Sequence, residues 1–199
     1  MEIFMKKTLA AIALLATAGL TLTACGEDPA DDATGDATSD FNQADITFAQ
    51  QMIPHHEQAI EMAEMAQGRA SSDEVLELAK TIEAAQGPEI DTMQSWLETW
   101  GEEVPSGDMG GMDHGDMGSD SGDMAGMMDE DEMNALMAAS GPDWDRMFLE
   151  MMIEHHEGAI EMAEVEVDQG ENPDAVALAE KIISDQQAEI TQMQQLLQP

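Results

Sequence analysis

The sequence has few of the residues on which disulfide-linked and nucleic-acid-binding proteins depend. Among 199 residues there is one cysteine, Cys25, so no disulfide can form within the chain. Six lysines and arginines stand against 43 acidic residues, and the formal net charge is −37. Because a chain without a basic face cannot neutralise phosphates, this composition excludes nucleic acid as a partner. Tyrosine is absent altogether.

The N-terminus has the pattern of an export signal. Lys6 and Lys7 precede an apolar run over residues 8–22, which is too short to be a comfortable membrane span. The run ends in Leu22-Thr23-Ala24-Cys25, which is similar to a bacterial lipobox, where the cysteine thiol receives a diacylglycerol. We therefore predict a signal peptide at 1–24 and an exported protein anchored by lipidated Cys25 to the outer face of the cytoplasmic membrane or to another envelope membrane. An ordinary secretory peptide with an incidental cysteine is the alternative.

One segment of the sequence occurs twice, one hundred residues apart. Residues 48–64 and 148–164 share the core His-His-Glu-x-Ala-Ile-Glu-Met-Ala, and the alignment continues without a gap to residue 197. The repeat unit is therefore about two helices long. Turn signals divide each unit, at 68–73 and at 169–173. Two helical hairpins joined by one long connection predict an all-α four-helix bundle.

Two low-complexity stretches separate the folded parts of the chain. Residues 25–41 have almost no large apolar side chain and are predicted to be a disordered tether. Residues 101–129, rich in Met, Gly, Asp and His, are predicted to be a flexible linker between hairpins at 42–100 and 130–199. In the first hairpin, Gly87-Pro88 is expected to kink or break the second helix.

The repeated segment carries four of the five histidines, each pair preceded by a methionine three and four residues back. Residues at this spacing lie about 5–6 Å apart at Cβ on a helix, so one methionine and one histidine can point to the same ion. In di-iron bundles a glutamate stands three residues before the ligating histidine, and here methionine stands at that position. A thioether in place of a carboxylate favours Cu(I) or Ag(I) over iron. The candidate ligands are Met52, His55, His56, Met152, His155 and His156. Met93 and Met193 on the facing helices are further candidates, and core packing explains these two equally well.

Each second helix carries two polar residues inside an apolar stripe. They are Gln86 and Glu89 in the first repeat and Gln186 and Glu189 in the second. A buried carboxylate or carboxamide is costly unless something hydrogen-bonds or coordinates it. We predict that these side chains contact the histidines of the other helix and support them as ligands.

The linker contains its own methionines and the fifth histidine, interleaved with Gly and Asp. They are Met109, Met112, His114, Met117, Met124, Met127 and Met128. No predicted helix or strand buries these methionines, so packing does not account for them. Flexible clusters of this kind suit Cu(I) through thioethers and Cu(II) through imidazole and carboxylate. The alternative is a disordered acidic spacer in which methionine is accidental.

The motif Met-Ile-Pro-His-His-Glu-Gln-Ala-Ile-Glu-Met-Ala at 52–63, followed by Gln86 and Glu89, closely resembles the bacterial domain of unknown function 305 family. The resemblance covers 42–100 and 143–199. The resemblance implies an exported protein with a ferritin-like helical bundle. The family that it points to includes copper-binding members linked to copper tolerance. The ligands that it implies are Met52, His55, His56, Met152, His155 and His156.

Together these features predict an extracytoplasmic, lipid-anchored copper-binding protein that buffers, scavenges or delivers copper and is not an enzyme. Cu(I) is the favoured ion, with Cu(II) and Ag(I) as further candidates. Because a protonated imidazole cannot ligate, affinity is expected to fall as the pH drops through about 6.5. One alternative is a copper or di-iron redox enzyme centred in the bundle, against which stand the missing Glu-x-x-His pair and the lack of tyrosine. Another is an acidic surface lipoprotein with structural histidines.

Overall fold

The computed structural model of the protein describes residues 40–105 and 124–198, which form helices and connecting loops with no strand among them. The helices are α1 (Gln43–Glu64), α2 (Asp73–Trp100), α3 (Glu130–Ala138), α4 (Pro142–Gln169) and α5 (Pro173–Leu196). None of these described helices is long and apolar enough to cross a bilayer. The predicted signal peptide, the lipidation site at Cys25 and nearly all of the predicted tether lie outside the described residues.

The four long helices form two hairpins that pack against each other. Helix α1 packs along α2, and α4 packs along α5. Between the hairpins, α1 contacts α4 and α2 contacts α5. The predicted all-α bundle of two repeated helical hairpins is therefore confirmed.

Two equivalent aspartates tie the hairpins together at the ends of the bundle. The Asp45 carboxylate of α1 accepts hydrogen bonds of 2.9 and 3.2 Å from the backbone N–H groups of the turn at 171–172. The Asp145 carboxylate of α4 accepts bonds of 2.9 and 3.0 Å from the backbone N–H groups at 71–72. Each aspartate thus binds the turn before the second helix of the opposite hairpin, where unsatisfied amides and the helix dipole favour a negative charge.

Helix α2 is not broken at Gly87-Pro88, contrary to one of the two outcomes expected from the sequence. It runs without interruption from Asp73 to Trp100. Proline costs a helix one backbone hydrogen bond, but packing of an apolar face usually decides whether a helix persists. Here Ile82 and Ile90, on either side of the proline, are buried against the core. Packing on both sides therefore holds the helix together.

A fifth helix, α3, was not anticipated and separates the linker from the second hairpin. It begins in a capping box, in which Asp129 accepts from the N–H of Glu132 at 2.8 Å and the Glu132 carboxylate accepts from the N–H of Asp129 at 2.9 Å. Leu136 is fully buried and anchors α3 on the bundle. Helix α4 then starts after Gly141, whose φ of +67° favours glycine.

Candidate metal centre

The four repeated histidines lie together between α1 and α4. His55, His56, His155 and His156, called here the histidine cluster, are all fully buried. The ring centroids of His55 and His155 are 3.8 Å apart, and those of His155 and His156 are 6.4 Å apart. The contact between α1 and α4 therefore brings the two copies of the motif into one site.

A glutamate from the second helix of each hairpin holds one histidine of each pair. His56 Nε2 lies 2.9 Å from Glu89 Oε2, and His156 Nε2 lies 2.7 Å from Glu189 Oε2. These are the contacts that the sequence predicted for the two glutamates. Because a carboxylate only accepts hydrogen bonds, Nε2 of each ring carries the proton, and Nδ1 of the neutral ring keeps its lone pair.

Within the described part of the chain, Glu89 has a second partner that Glu189 lacks. Lys181 of α5 donates to Glu89 Oε1 at 2.9 Å and to Asp185 at 2.7 Å, whereas Thr81 occupies the equivalent position in the first repeat. Burial acts to raise the pKa of Glu89, but the hydrogen bonds from His56 and Lys181 outweigh it and hold the pKa below its usual value. Glu89 is therefore an ionised acceptor for His56.

His55 is held by the chain that precedes α3. Its Nε2 atom lies 3.1 Å from the carbonyl oxygen of Ala125. A carbonyl only accepts, so the proton is again on Nε2 and the lone pair on Nδ1. Three of the four rings are thus held in the same tautomer by partners outside the histidine cluster.

Five ring nitrogens of the histidine cluster have no hydrogen-bond partner within the described part of the chain. They are Nδ1 of His55, His56, His155 and His156, and Nε2 of His155. Buried polar atoms are nearly always paired, so such a group of unpaired nitrogens needs an explanation. Neutral imidazole nitrogens suit borderline and soft metal ions, so the donor set fits a metal of that class.

The predicted pairing of Gln86 with a histidine is not made as a hydrogen bond. Both polar atoms of its buried side chain lack a partner among the described residues, and so does the side-chain oxygen of Gln186. Glu89 accepts the one N–H of neutral His56, and Gln86 makes no bond to the remaining Nδ1 lone pair. The glutamates, not the glutamines, are the residues that hold the rings.

The predicted methionine donors of the helices are all fully buried. Met52 and Met93 belong to one cluster of core side chains, and Met152 and Met193 belong to the other. Each histidine pair thus follows a buried methionine on its own helix. In residues 40–105 and 124–198, no three His, Cys, Asp or Glu side chains form a group that could hold a metal ion.

The predicted linker ligands fall into two sets. Met109, Met112, His114 and Met117 lie outside the described residues. Met124 and Met127 are half-buried, and Met128 is only 6% exposed and packs in the core. The expectation that packing does not account for the linker methionines is therefore wrong for Met128. Its backbone is bound by Gln58 of α1, which draws the residue onto the bundle.

Burial controls the protonation of three residues of the histidine cluster. It lowers the pKa of His55 to about 3 and that of His155 well below its usual range. It also lowers the pKa of His56, although the Glu89 carboxylate opposes it. Because these three rings stay neutral and able to ligate in mild acid, we now expect the fall in affinity at a pH below 6.5 rather than near it.

Sequence reasoning missed two residues around the site and a third, Glu166, farther along α4, and all three lie where the aligned repeats differ. Lys181 donates to the glutamate that holds His56, from a position occupied by threonine in the other copy. Gln58, opposite Gly158 in the alignment, binds the backbone of residue 128. Glu166 replaces an alanine, and burial together with nearby Asp45 raises its pKa to about 8. Differences between the two copies were the signal that could have identified them.

Comparison with known proteins connects this fold with a family. The profile of the domain of unknown function DUF305 matches residues 45–197. A crystal structure of a DUF305 protein from Streptomyces coelicolor is 31% identical, covers 77% of this chain and 91% of its own, and has a TM-score of 0.67. A DUF305 fragment from Deinococcus radiodurans is 28% identical, with coverage of 78% and 96% and a TM-score of 0.67.

CopM in its Cu(I)-bound form is also similar, at 35% identity, with 76% of this chain and 94% of CopM covered and a TM-score of 0.61. CopM has further structures in Cu(II)-bound and Ag-bound forms. No curated protein matches the chain. Because the family profile spans most of the sequence and includes both histidine pairs, this chain belongs to the DUF305 family.

Proposed function

We propose that this protein binds copper outside the cytoplasm, with Cu(I) as the preferred ion, at the histidine cluster. The observation that carries the proposal is the set of unpaired, buried Nδ1 atoms on His55, His56, His155 and His156. Three of the rings, those of His55, His56 and His156, are held with Nε2 as the donor, so Nδ1 is free to ligate. The relative CopM, similar over most of its length, has been solved with Cu(I), Cu(II) and Ag.

Methionines would supply the preference for the reduced ion. Met52 and Met152 precede the histidines by three and four residues on the same helices, and Met93 and Met193 are buried in the same two core clusters. Thioethers and imidazoles together select soft ions such as Cu(I) and Ag(I) and bind Cu(II) less well. The bound ion would offset the cost of leaving the buried nitrogens unpaired.

The function that follows is storage or transfer of copper at the cell envelope, as a buffer, scavenger or chaperone, rather than catalysis. The lipobox-like sequence ending in Cys25 supports attachment to a membrane through lipid. The relative from Streptomyces coelicolor is described as a secreted protein, which agrees with export. The large negative charge would raise the local concentration of cations around the protein.

Titration of Cu(I) against a competing chelator tests the proposal. We expect a tight class of sites in the parent protein and its loss in the variant with all four residues of the histidine cluster changed to alanine. His114→Ala, the remaining histidine, is the matched control and should keep the tight class. Deletion of 106–123 should lower the number of bound ions and leave the tightest affinity unchanged, since rigid helices preposition their donors. Tight binding that survives the quadruple change and disappears with the deletion would refute the proposal.

A further inference from the structure

The chain immediately before α3 lies against the histidine cluster. Residues 124–128, called here the docked segment, are the end of the Met-rich linker. Ala125 of this segment accepts the hydrogen bond from His55 Nε2, and Met128 packs in the core. A stretch predicted from the sequence to be flexible therefore touches the candidate metal centre directly.

Gln58 holds the docked segment by recognising its backbone. Its Nε2 atom donates to the carbonyl oxygen of Met128, and its Oε1 atom accepts from the N–H of Met128, both at 2.8 Å. The Gln58 side chain is 5% exposed, so these two bonds are sheltered from water. Because both bonds go to the same residue, its N–H and its C=O, they fix where the segment lies along α1. They also fix the distance between the segment and that helix.

Glycines on α4 and in the docked segment allow the close approach. A Cβ atom on Gly158 would overlap the carbonyl oxygen of Ala125 and would lie 2.8 Å from the backbone nitrogen of Gly126. Gly126 itself has φ +77°, and a Cβ atom there would lie 3.1 Å from Gly158 Cα. Only glycine at both positions lets the segment seat between α1 and α4.

The two repeats contribute different halves of this docking site from the same aligned position. The first copy has glutamine at residue 58 and supplies the binding side chain, while the second copy has glycine at residue 158 and supplies the clearance. Both residues lie two or three positions after the histidines of their own helix. The docked segment is therefore positioned next to the histidine cluster by both α1 and α4.

We propose that the docked segment is a cover over the histidine cluster, positioned by Gln58 and Gly158, and that its release opens the route by which copper enters. The role given to the cover rests on the proposed copper binding by the histidine cluster. The cover itself can be tested in protein without copper. While the segment is seated, the carbonyl of Ala125 occupies one side of His55, and all four rings are inaccessible to solvent. Release frees that edge of the ring and brings the half-buried Met124 and Met127 away from the bundle with it.

The test uses the full-length, metal-free protein and two substitutions. Gly158→Ala places a methyl group where the segment sits, and Gln58→Ala removes both bonds to residue 128. Gly87→Ala is the matched control, because it is also a helical glycine and a Cβ atom there meets nothing within 4 Å. The readouts are diethyl pyrocarbonate modification of His55, located by mass spectrometry, and hydrogen exchange of the Met128 amide.

We expect both rates to rise about tenfold or more in Gln58→Ala, because two hydrogen bonds are lost, and likewise in Gly158→Ala, because the added methyl group overlaps the backbone of the segment. Both rates should stay at the parent level in Gly87→Ala. Transfer of Cu(I) from a chelator should accelerate in the same two variants. Circular dichroism identifies a variant that fails to fold. In the parent, modification of His55 and exchange of Met128 should then report one shared opening equilibrium.

Unchanged histidine modification in folded Gln58→Ala, or opening equilibria in the parent that differ for His55 and Met128, would overturn the cover. If the histidines become reactive as expected but no copper binds to the parent protein, the cover stands and the proposed function fails.

Discussion

The two histidine pairs come from one repeated motif but have different surroundings. In the first pair, His55 is bound by Ala125, and the glutamate that holds His56 is itself held by Lys181. In the second pair, both ring nitrogens of His155 are unpaired, and no lysine supports the glutamate at residue 189 within the described chain. Duplication has kept the candidate donors, whereas the copies have diverged in the residues that control access and electrostatics.

The largest difference between the halves should appear in the aspartates that join them. Asp145 accepts from two backbone N–H groups and from the Ser71 hydroxyl, so Asp145→Ala should lower the free energy of unfolding by about 3–5 kcal/mol. Asp45→Ala should cost about 1–2 kcal/mol more, because Asp45 also accepts from the backbone N–H of Asn42 and interacts favourably with the Glu166 carboxyl, which is protonated at neutral pH. Urea unfolding of metal-free protein at neutral pH measures both. Equal losses would show that these additional partners of Asp45 add no stability.

Glu166 has alanine as its counterpart in the first repeat, and it should make stability fall as the pH rises. Burial and Asp45 raise its pKa to about 8 in the folded protein, from an ordinary value of 4.5. The folded state therefore binds the proton more tightly, and the stability from this group is complete below pH 4.5 and lost as the pH rises to 8.

Glu166→Gln keeps the neutral, hydrogen-bonding form at every pH and should raise stability by about 1–3 kcal/mol at pH 8, with little effect at pH 5. The readout is the difference in urea stability between parent and variant, in which other titrating groups cancel. A difference that does not change between these two pH values would contradict the assignment.

The histidine pairs should also differ in copper affinity. Hydrogen bonds on Nε2 orient both rings of the first pair, whereas among the described residues His155 of the second pair has no such partner. Because partners that orient a ligating ring raise metal affinity, we expect His55→Ala/His56→Ala to weaken the tightest Cu(I) site about tenfold more than His155→Ala/His156→Ala does. Competition titrations of the two double variants provide the comparison. The reverse order would assign the tighter site to the second repeat.

The smallest expected effect concerns Lys181. Its side chain is 54% exposed, so Lys181→Met should lower stability by no more than about 1 kcal/mol. The more informative readout is NMR of the His56 ring, which should become more basic when the lysine no longer competes for Glu89. Thr81→Met, at the equivalent exposed position of the first repeat, is the control and should leave the His56 signals in place. Identical His56 spectra in parent and Lys181→Met would remove the lysine from the site.

Features that depend on local spacing were predictable from the sequence. The duplicated segment and the turn signals were enough to predict two hairpins, and a glutamate inside the apolar stripe of each second helix was enough to predict the contacts of Glu89 and Glu189. The fifth helix and the docked segment were missed because they depend on contacts between distant parts of the chain. Gln58 resembles any other polar helical residue until the backbone of residue 128, seventy positions away, is seen beside it.

Each hairpin contributes an aspartate that binds the turn of the other hairpin, and this reciprocal contact bears on how such a protein could arise. Asp45 and Asp145 occupy the same place in the two copies, and each completes a turn that belongs to the other. In a single hairpin, the same aspartate would complete that turn by pairing with a second identical hairpin about a two-fold axis, in an isologous homodimer. The present chain has the arrangement expected of such a dimer joined into a single polypeptide, and in that form the two halves can carry different residues, as Gln58 and Gly158 do.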